Sequence, residues 1–209
     1  MQQVQNMVFA TRNAAKLEQV RPLFADWYFK LVSQTEVGVL GEGQERRDSA
    51  ATLFDNARIK ARYVFDRLGK KQYVVADDSG VFIRALDGEP GAHTRYWGGE
   101  NLTVGETVRY ALARMQEVDD RYATFRSVIV LVSPNGEEET FQGDVNGFIA
   151  YRPCGSVTKG LPFNQIFRPL GRTKTFAEME PSEVNQFSHR GRAFANMIRA
   201  LKMRSLQRV

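Results

Sequence analysis

The sequence predicts a mixed α/β fold, and three observations carry that expectation. Apolar runs of strand length alternate with segments whose apolar residues recur at helical spacing. A long antiparallel hairpin interrupts the alternation near the middle of the chain. The 209 residues suit one domain, residues 1–209, that is long enough for a real apolar core. The expected architecture is a mixed sheet in which the hairpin builds a second lobe and leaves a cleft between the two.

The first strand is read over residues 4–10, VQNMVFA, running into Thr11-Arg12-Asn13 with Asn13 as helix N-cap. Leu17, Val20 and Phe24 follow at helical spacing, and Pro22 kinks or shortens that helix. A glycine-bearing polar segment precedes a second helix over residues 49–68, which Gly69 stops. Tyr73–Ala76 reads as a strand ending in Asp77-Asp78-Ser79-Gly80, with Val81–Leu86 as a further strand or its continuation. Residues 101–118 form a helix with capping-box spacing at Thr103 and Glu106. The hairpin follows, Ala123–Ser133 and Glu139–Tyr151 around Pro134-Asn135-Gly136. Residues 152–162 are a loop, Phe176–Met179 a helical turn, and Ser188–Leu206 a final helix with Phe194, Met197, Ile198 and Leu201 inward.

Composition narrows the function classes. The formal net charge of +5 suits a polyanion, a triphosphate as much as RNA. No run of like charge forms a basic tail, so a stable nucleic-acid partner is not expected. A single cysteine, Cys154, excludes an internal disulfide and points to a reducing compartment. No apolar stretch approaches the roughly 20 residues that span a bilayer. The expectation is a soluble cytoplasmic protein with no membrane partner.

Three segments have the residue types for phosphate chemistry. Thr11, Asn13 and Lys16 stand where a strand gives way to a helix, and free N–H groups at a helix start attract anions. Asn13 as a simple cap and Lys16 as a solvated cation is the other reading. Asp77 and Asp78, placed at a strand end, point to opposite faces. One then faces the cleft and the other makes structural hydrogen bonds, unless the segment is only a polar turn. A carboxylate there suits magnesium or the activation of water. Ser188 caps the last helix, and His189 and Arg190 fall in its first turn, where the helix dipole disfavours cations. An anionic or electron-rich ligand accounts for them there. Glu42, Glu45 and Asp48 are either further metal donors or a solvated loop. With His93 and His189 as the only histidines, zinc and Ser-His-Asp chemistry are poorly supported.

These segments, in this order, resemble the inosine triphosphate pyrophosphatases, also called Ham1-like or dITP/XTP pyrophosphatases. FATRNAAKLEQV resembles the family's T-x-N-x-x-K-x-x-E, with Gln19 at the last position. TLFDNARIKAR is similar to its E-N-A-x-x-K-A helix, with Asp55 for the glutamate. VVADDSGVFIRALDGEPG, FQGDVNGFI and the closing stretch through Ser188-His189-Arg190 match in register, so the likeness covers nearly the whole chain. The resemblance implies an elongated two-lobed α/β fold with a nucleotide in its central cleft. It implies hydrolysis of ITP, dITP or XTP to the monophosphate and pyrophosphate, with magnesium and commonly a homodimer. Thr11, Asn13 and Lys16 would hold phosphates, and Asp78 would be the metal-binding catalytic carboxylate. Ser79 would help bind substrate, and Glu42 would be a second metal ligand. His189 and Arg190, after Ser188, would read the 6-oxo group, which accepts hydrogen bonds where adenine's amino group does not.

The departures fall on the base side. The family's F-G-Y/W-D-P becomes Leu161-Pro162-Phe163-Asn164-Gln165, which keeps an aromatic only at Phe163 and replaces the aspartate by Asn164. A family lysine becomes Val184. Weakened or altered base selectivity is the expected result. A pyrophosphatase for another modified nucleotide, or a relative that binds nucleotide or RNA without turnover, are the alternatives.

Overall fold

The computed structural model describes residues 4–40 and 50–206. Glu42, Glu45 and Asp48 lie outside the described residues. The elements run β1 (Gln5–Phe9), α1 (Ala14–Val20), β2 (Phe29–Ser33), α2 (Leu53–Arg67), β3 (Tyr73–Ile83) and β4 (Pro90–Gly91). They continue with α3 (Val104–Arg114), β5 (Tyr122–Val132), β6 (Glu138–Ile149), β7 (Phe167–Pro169), α4 (Pro181–Phe187) and α5 (His189–Leu206). All strands belong to one 7-stranded sheet, in the order β2-β1-β3-β5-β6-β7 with β4 beside β3. β2, β1 and β3 are parallel; from β3 to β7 the pairing is antiparallel. The α/β expectation holds in this mixed sheet.

Each helix forms for a local reason. Pro22 sits in a 3-10 turn over Arg21–Phe24, and α1 ends before it at Val20, as the missing proline N–H requires. Thr52 caps α2 by accepting from the Asp55 N–H, so this helix begins at Leu53 and not at residue 49. The Thr103–Glu106 capping box starts α3, which ends at Arg114, short of Val118. The sequence reading passed over β2, β7 and α4.

Period-2 alternation distributes the core. Met7, Phe9, Leu31, Val75, Ile129 and Leu131 pack with α1 and with Phe194 and Met197 of α5. Val8, Val32, Val74, Ala76, Val130 and Val132 pack with Ala57, Ala61 and Val64 of α2. At the far end, Val81, Ile83, Phe125 and Ile149 meet Val108 and Ala111 of α3 and its C-cap Met115.

Asp77-Asp78-Ser79-Gly80 does not end a strand. β3 runs through it without a break to Ile83, and only Arg84–Leu86 leaves as a 3-10 turn. The reason is β5, which pairs with β3 continuously from Val74 to Ile83. The other edge differs. β1 accompanies β3 only to Val75, and β4 pairs with Val81 and Phe82. Among the described residues the stretch between them has no strand on that side, and it is there that the aspartates sit. Gly80 admits the turn beyond, since a Cβ there would lie 2.2 Å from the Gly91 carbonyl oxygen.

α5 docks on β6 at Gly143, where an added Cβ would lie 2.2 Å from His189 O and 2.5 Å from Ala193 N. Asn196 Nδ2 donates to Gln142 O and Arg192 to Asp144 O along the same contact. Gly143→Ala should therefore push α5 off the sheet and lower unfolding free energy by about 2 kcal/mol or more, read by urea denaturation.

Candidate active site

The two adjacent aspartates lie on opposite faces of β3, and each meets cations from the helices on its own face. On one face Lys16 Nζ of α1 donates to Asp77 Oδ1 at 3.0 Å, and Arg190 Nε of α5 to Asp77 Oδ2 at 2.9 Å. Ser79 Oγ, two residues on, donates to Asp77 Oδ2 at 3.0 Å and accepts from Arg190 at 3.1 Å. On the other face Lys60 Nζ of α2 donates to Asp78 Oδ1 at 2.6 Å, and Asn56 Nδ2 to Asp78 Oδ2 at 3.1 Å. Asn56 and Lys60 stand four residues apart, so one helix face presents both.

The Asp77 cluster is deeply buried, with side-chain exposures of 1% for Asp77 and 3% for Arg190. Burial opposes the Asp77 carboxylate charge, but Lys16, then Arg190 and Lys60, outweigh it and hold the carboxyl far below the usual carboxylate range. Burial also lowers the Lys16 ammonium pKa, with Asp77 opposing and Arg190 adding to the effect. Arg190 in a helix's first turn thus has an internal anion, so its position needs no ligand to explain it.

These groups open onto a cleft of about 1060 Å³. Its walls include Thr11, Asn13, Lys16, Lys60, Asp77, Asp78, Ser79, Phe163 and Arg190. Arg12, Arg95 and Lys159 add cations, and Glu18 and Glu100 add carboxylates. The cleft therefore brings together most of the residues singled out from sequence. Asn13 plays two parts: its Oδ1 caps α1 on the Lys16 N–H, and its Nδ2 reaches the Gly160 carbonyl at 3.1 Å. Asn164 and Ser188 are not in the cleft wall. Ser188 Oγ caps α5 by accepting from Gly191 N at 3.1 Å. Phe163 is 2% exposed and stacks on Trp97 at 6.2 Å, whereas Leu161 is only half-buried at the cleft.

His189 lies just behind the wall, its ring stacked 3.8 Å over Phe125, which does line the cleft. Among the described residues neither ring nitrogen has a hydrogen-bond partner. Burial, then the Arg190 charge, holds its pKa well below the ordinary histidine value. The imidazole is therefore neutral, with one donor and one acceptor available.

Asn56, Lys60 and Gln19 escaped the sequence reading as site residues. A signal existed for the first two: they are polar positions within α2's buried face of Leu53, Ala57, Ala61 and Val64. A smaller cavity of about 450 Å³ opens beyond α3 near Arg121. There the guanidinium is bound to the carbonyls of Met115, Ile149 and Ala150, a structural capping role. Among the described residues no group of three or more His, Cys, Asp or Glu is placed to hold a metal ion.

Two outcomes follow for stability. Asp77→Asn leaves Lys16 and Arg190 buried without their anion and should cost about 3–5 kcal/mol of unfolding free energy by urea titration. His189 has a folded pKa below its unfolded value, so the unfolded chain binds the extra proton. Its contribution is present above about pH 6.5 and lost as pH falls below that value. His189→Gln should flatten the decline in urea midpoint between about pH 7 and 5.

The sequence pattern of the Ham1 family matches residues 7–200. A dITP/XTP pyrophosphatase of Symbiobacterium thermophilum is 37% identical over 93% of this chain and 94% of its own length. A protein of the same name from Caulobacter vibrioides is 34% identical over 93% and 97%. The solved structure of a HAM1 protein from Coxiella burnetii superposes with a TM-score of 0.81 at 32% identity, covering 95% of this chain and 99% of that one. A nucleoside-triphosphatase and dITP/XTP pyrophosphatase from Mycobacterium abscessus gives 0.68 at 35% identity, covering 92% and 98%. With a sequence match and a fold match that both run nearly end to end, the chain belongs to the Ham1 family.

Proposed function

We propose that the chain hydrolyses deaminated purine nucleoside triphosphates, dITP, ITP and XTP, to the monophosphate and pyrophosphate. The observation that supports this best is the pair of neighbouring aspartates, each neutralised on its own face of β3, at the wall of a cation-rich cleft of nucleotide size. The names of the relatives agree with it.

In this reading Asp78 orients the attacking water towards the α-phosphorus and takes up its proton. Lys60 and Asn56 hold the carboxylate in place. Thr11, Asn13 and Lys16, at the start of α1, receive the phosphates together with free N–H groups. Ser79 and Arg190 close the adjoining wall. His189 and Arg190 offer donors to a 6-oxo oxygen. A divalent ion fits the donor chemistry: magnesium takes one or two carboxylates and completes its shell with water and substrate phosphates. Asp78 would hold it, with Glu42 a second donor. Bound there, magnesium would neutralise phosphate charge and ease deprotonation of water.

The base side favours a looser grip. Phe163, although it touches the cleft, is packed into the core on Trp97, and Leu161 stands half-buried beside it. Val184 packs in the α3 core cluster and offers no cation. Selectivity then rests on hydrogen bonds more than on stacking.

Pyrophosphate release from dITP, ITP, XTP, ATP and GTP with magnesium tests the reading. The oxo-purine substrates should release pyrophosphate, and Asp78→Asn should lower the rate by about 10²-fold or more. Release of orthophosphate, or an undiminished Asp78→Asn rate, would sink it. Leu161→Phe should lower KM for ITP several-fold, roughly the worth of a gained stack.

A further inference from the structure

Residues 158–161 form a tight turn in the cleft wall. The Leu161 N–H donates to the Thr158 carbonyl at 3.0 Å, and Gly160 holds φ at +81° as the third of the four residues, a place that favours glycine. Lys159 is the second, at the corner. The turn is seated on Asn13. Its Gly160 carbonyl accepts from Asn13 Nδ2 at 3.1 Å, and a Cβ on Gly160 would lie 2.7 Å from that nitrogen. Asn13 Oδ1 meanwhile accepts from the Lys16 N–H. One amide side chain thus sets the corner of the turn beside the start of α1, with both Lys159 and Lys16 in the cleft wall.

The two lysines differ in what already holds them. Lys16 is bound to Asp77, as Lys60 is to Asp78. Lys159 is exposed, and among the described residues no hydrogen bond or ion pair engages its ammonium. A cation without an internal counter-charge gains most from the ligand group with the densest negative charge. On a nucleoside triphosphate that group is the terminal phosphates, since the base is neutral and the α-phosphate carries a single charge.

We infer that Lys159 is a specificity residue for the phosphate tail. Its ammonium pairs with the terminal phosphates, so the cleft grips a triphosphate more tightly than the monophosphate left after cleavage. The placing of the tail over the start of α1 rests on the proposed function; the anion contact itself needs no hydrolysis.

Titration calorimetry with inorganic tripolyphosphate and with IMP, without added metal, tests this on the wild type, Lys159→Met and Lys159→Arg. Thermal melting checks that each variant folds, as an exposed turn position allows. Lys159→Met should weaken tripolyphosphate about fivefold and IMP by less than about twofold. Its tripolyphosphate affinity should also fall less steeply with added salt than that of the wild type. Lys159→Arg should stay within about twofold of the wild type for both. Unchanged tripolyphosphate affinity in Lys159→Met overturns the inference, and so does a wild type that binds no tripolyphosphate. An equal loss for IMP overturns it too, because the lysine then does not distinguish tail from monophosphate. A loss in Lys159→Arg as large as in Lys159→Met overturns the role of charge. Pyrophosphate release separates this from the proposed function. Where ITP is hydrolysed, Lys159→Met should raise KM about fivefold, and an unchanged KM sinks the Lys159 inference alone. A wild type that releases no pyrophosphate but binds tripolyphosphate through Lys159 sinks the hydrolysis reading and leaves the anion contact standing.

Discussion

Asp77 is a carboxylate sealed between an ammonium and a guanidinium, and its partners come from nearly opposite ends of the chain, residues 16 and 190. A charge at that depth is tolerated only when paired and hydrogen-bonded. The cluster therefore ties α1 and α5 to the middle of β3, and neither helix can shift without exposing a buried ion. The surrounding geometry answers to that constraint. Gly143 lets α5 come close enough to the sheet, Ser188 starts the helix at the right residue, and Ser79 supplies the extra hydrogen bond.

Asp78 repeats the arrangement on the far side with Lys60 and Asn56. Because one strand presents both carboxylates, their separation is set by backbone pleat and not by loop conformation. The cations are likewise held by hydrogen bonds to the protein's own carboxylates. Groups oriented in advance of the charge they stabilise need no reorganisation during reaction, the basis of electrostatic catalysis.

Much of this was legible in the residues alone. The Thr103–Glu106 box gave the start of α3, and Pro134-Asn135-Gly136 gave the turn between β5 and β6. Other features had no local signature. α4 buries only Val184, so no periodicity marks it, and β7 has just three residues. β2 had a signal, with Phe29 and Leu31 alternating around Lys30, but no glycine or proline brackets the run. Asp77-Asp78 reads as a strand end because polar residues interrupt apolar ones. That β3 continues depends on β5, some fifty residues later, which no local window contains. Gln19 is an ordinary helix residue until its partner Arg190, distant in sequence, is known, whereas Lys60 was marked by its place in the apolar face of α2.

The open edge of β3 has a further consequence. Along its other edge the strand pairs with β5 in unbroken register from Val74 to Ile83, so the floor carrying the aspartates is held by a continuous ladder. The opposing wall is built differently. The turn that begins α1 meets the loop around Gly160 through the Asn13 side chain, without a sheet ladder between them. The fold thus divides its labour spatially. A rigid strand keeps the reacting groups in register, and whatever breathing admits a nucleotide and lets pyrophosphate leave belongs to the lightly bonded rim.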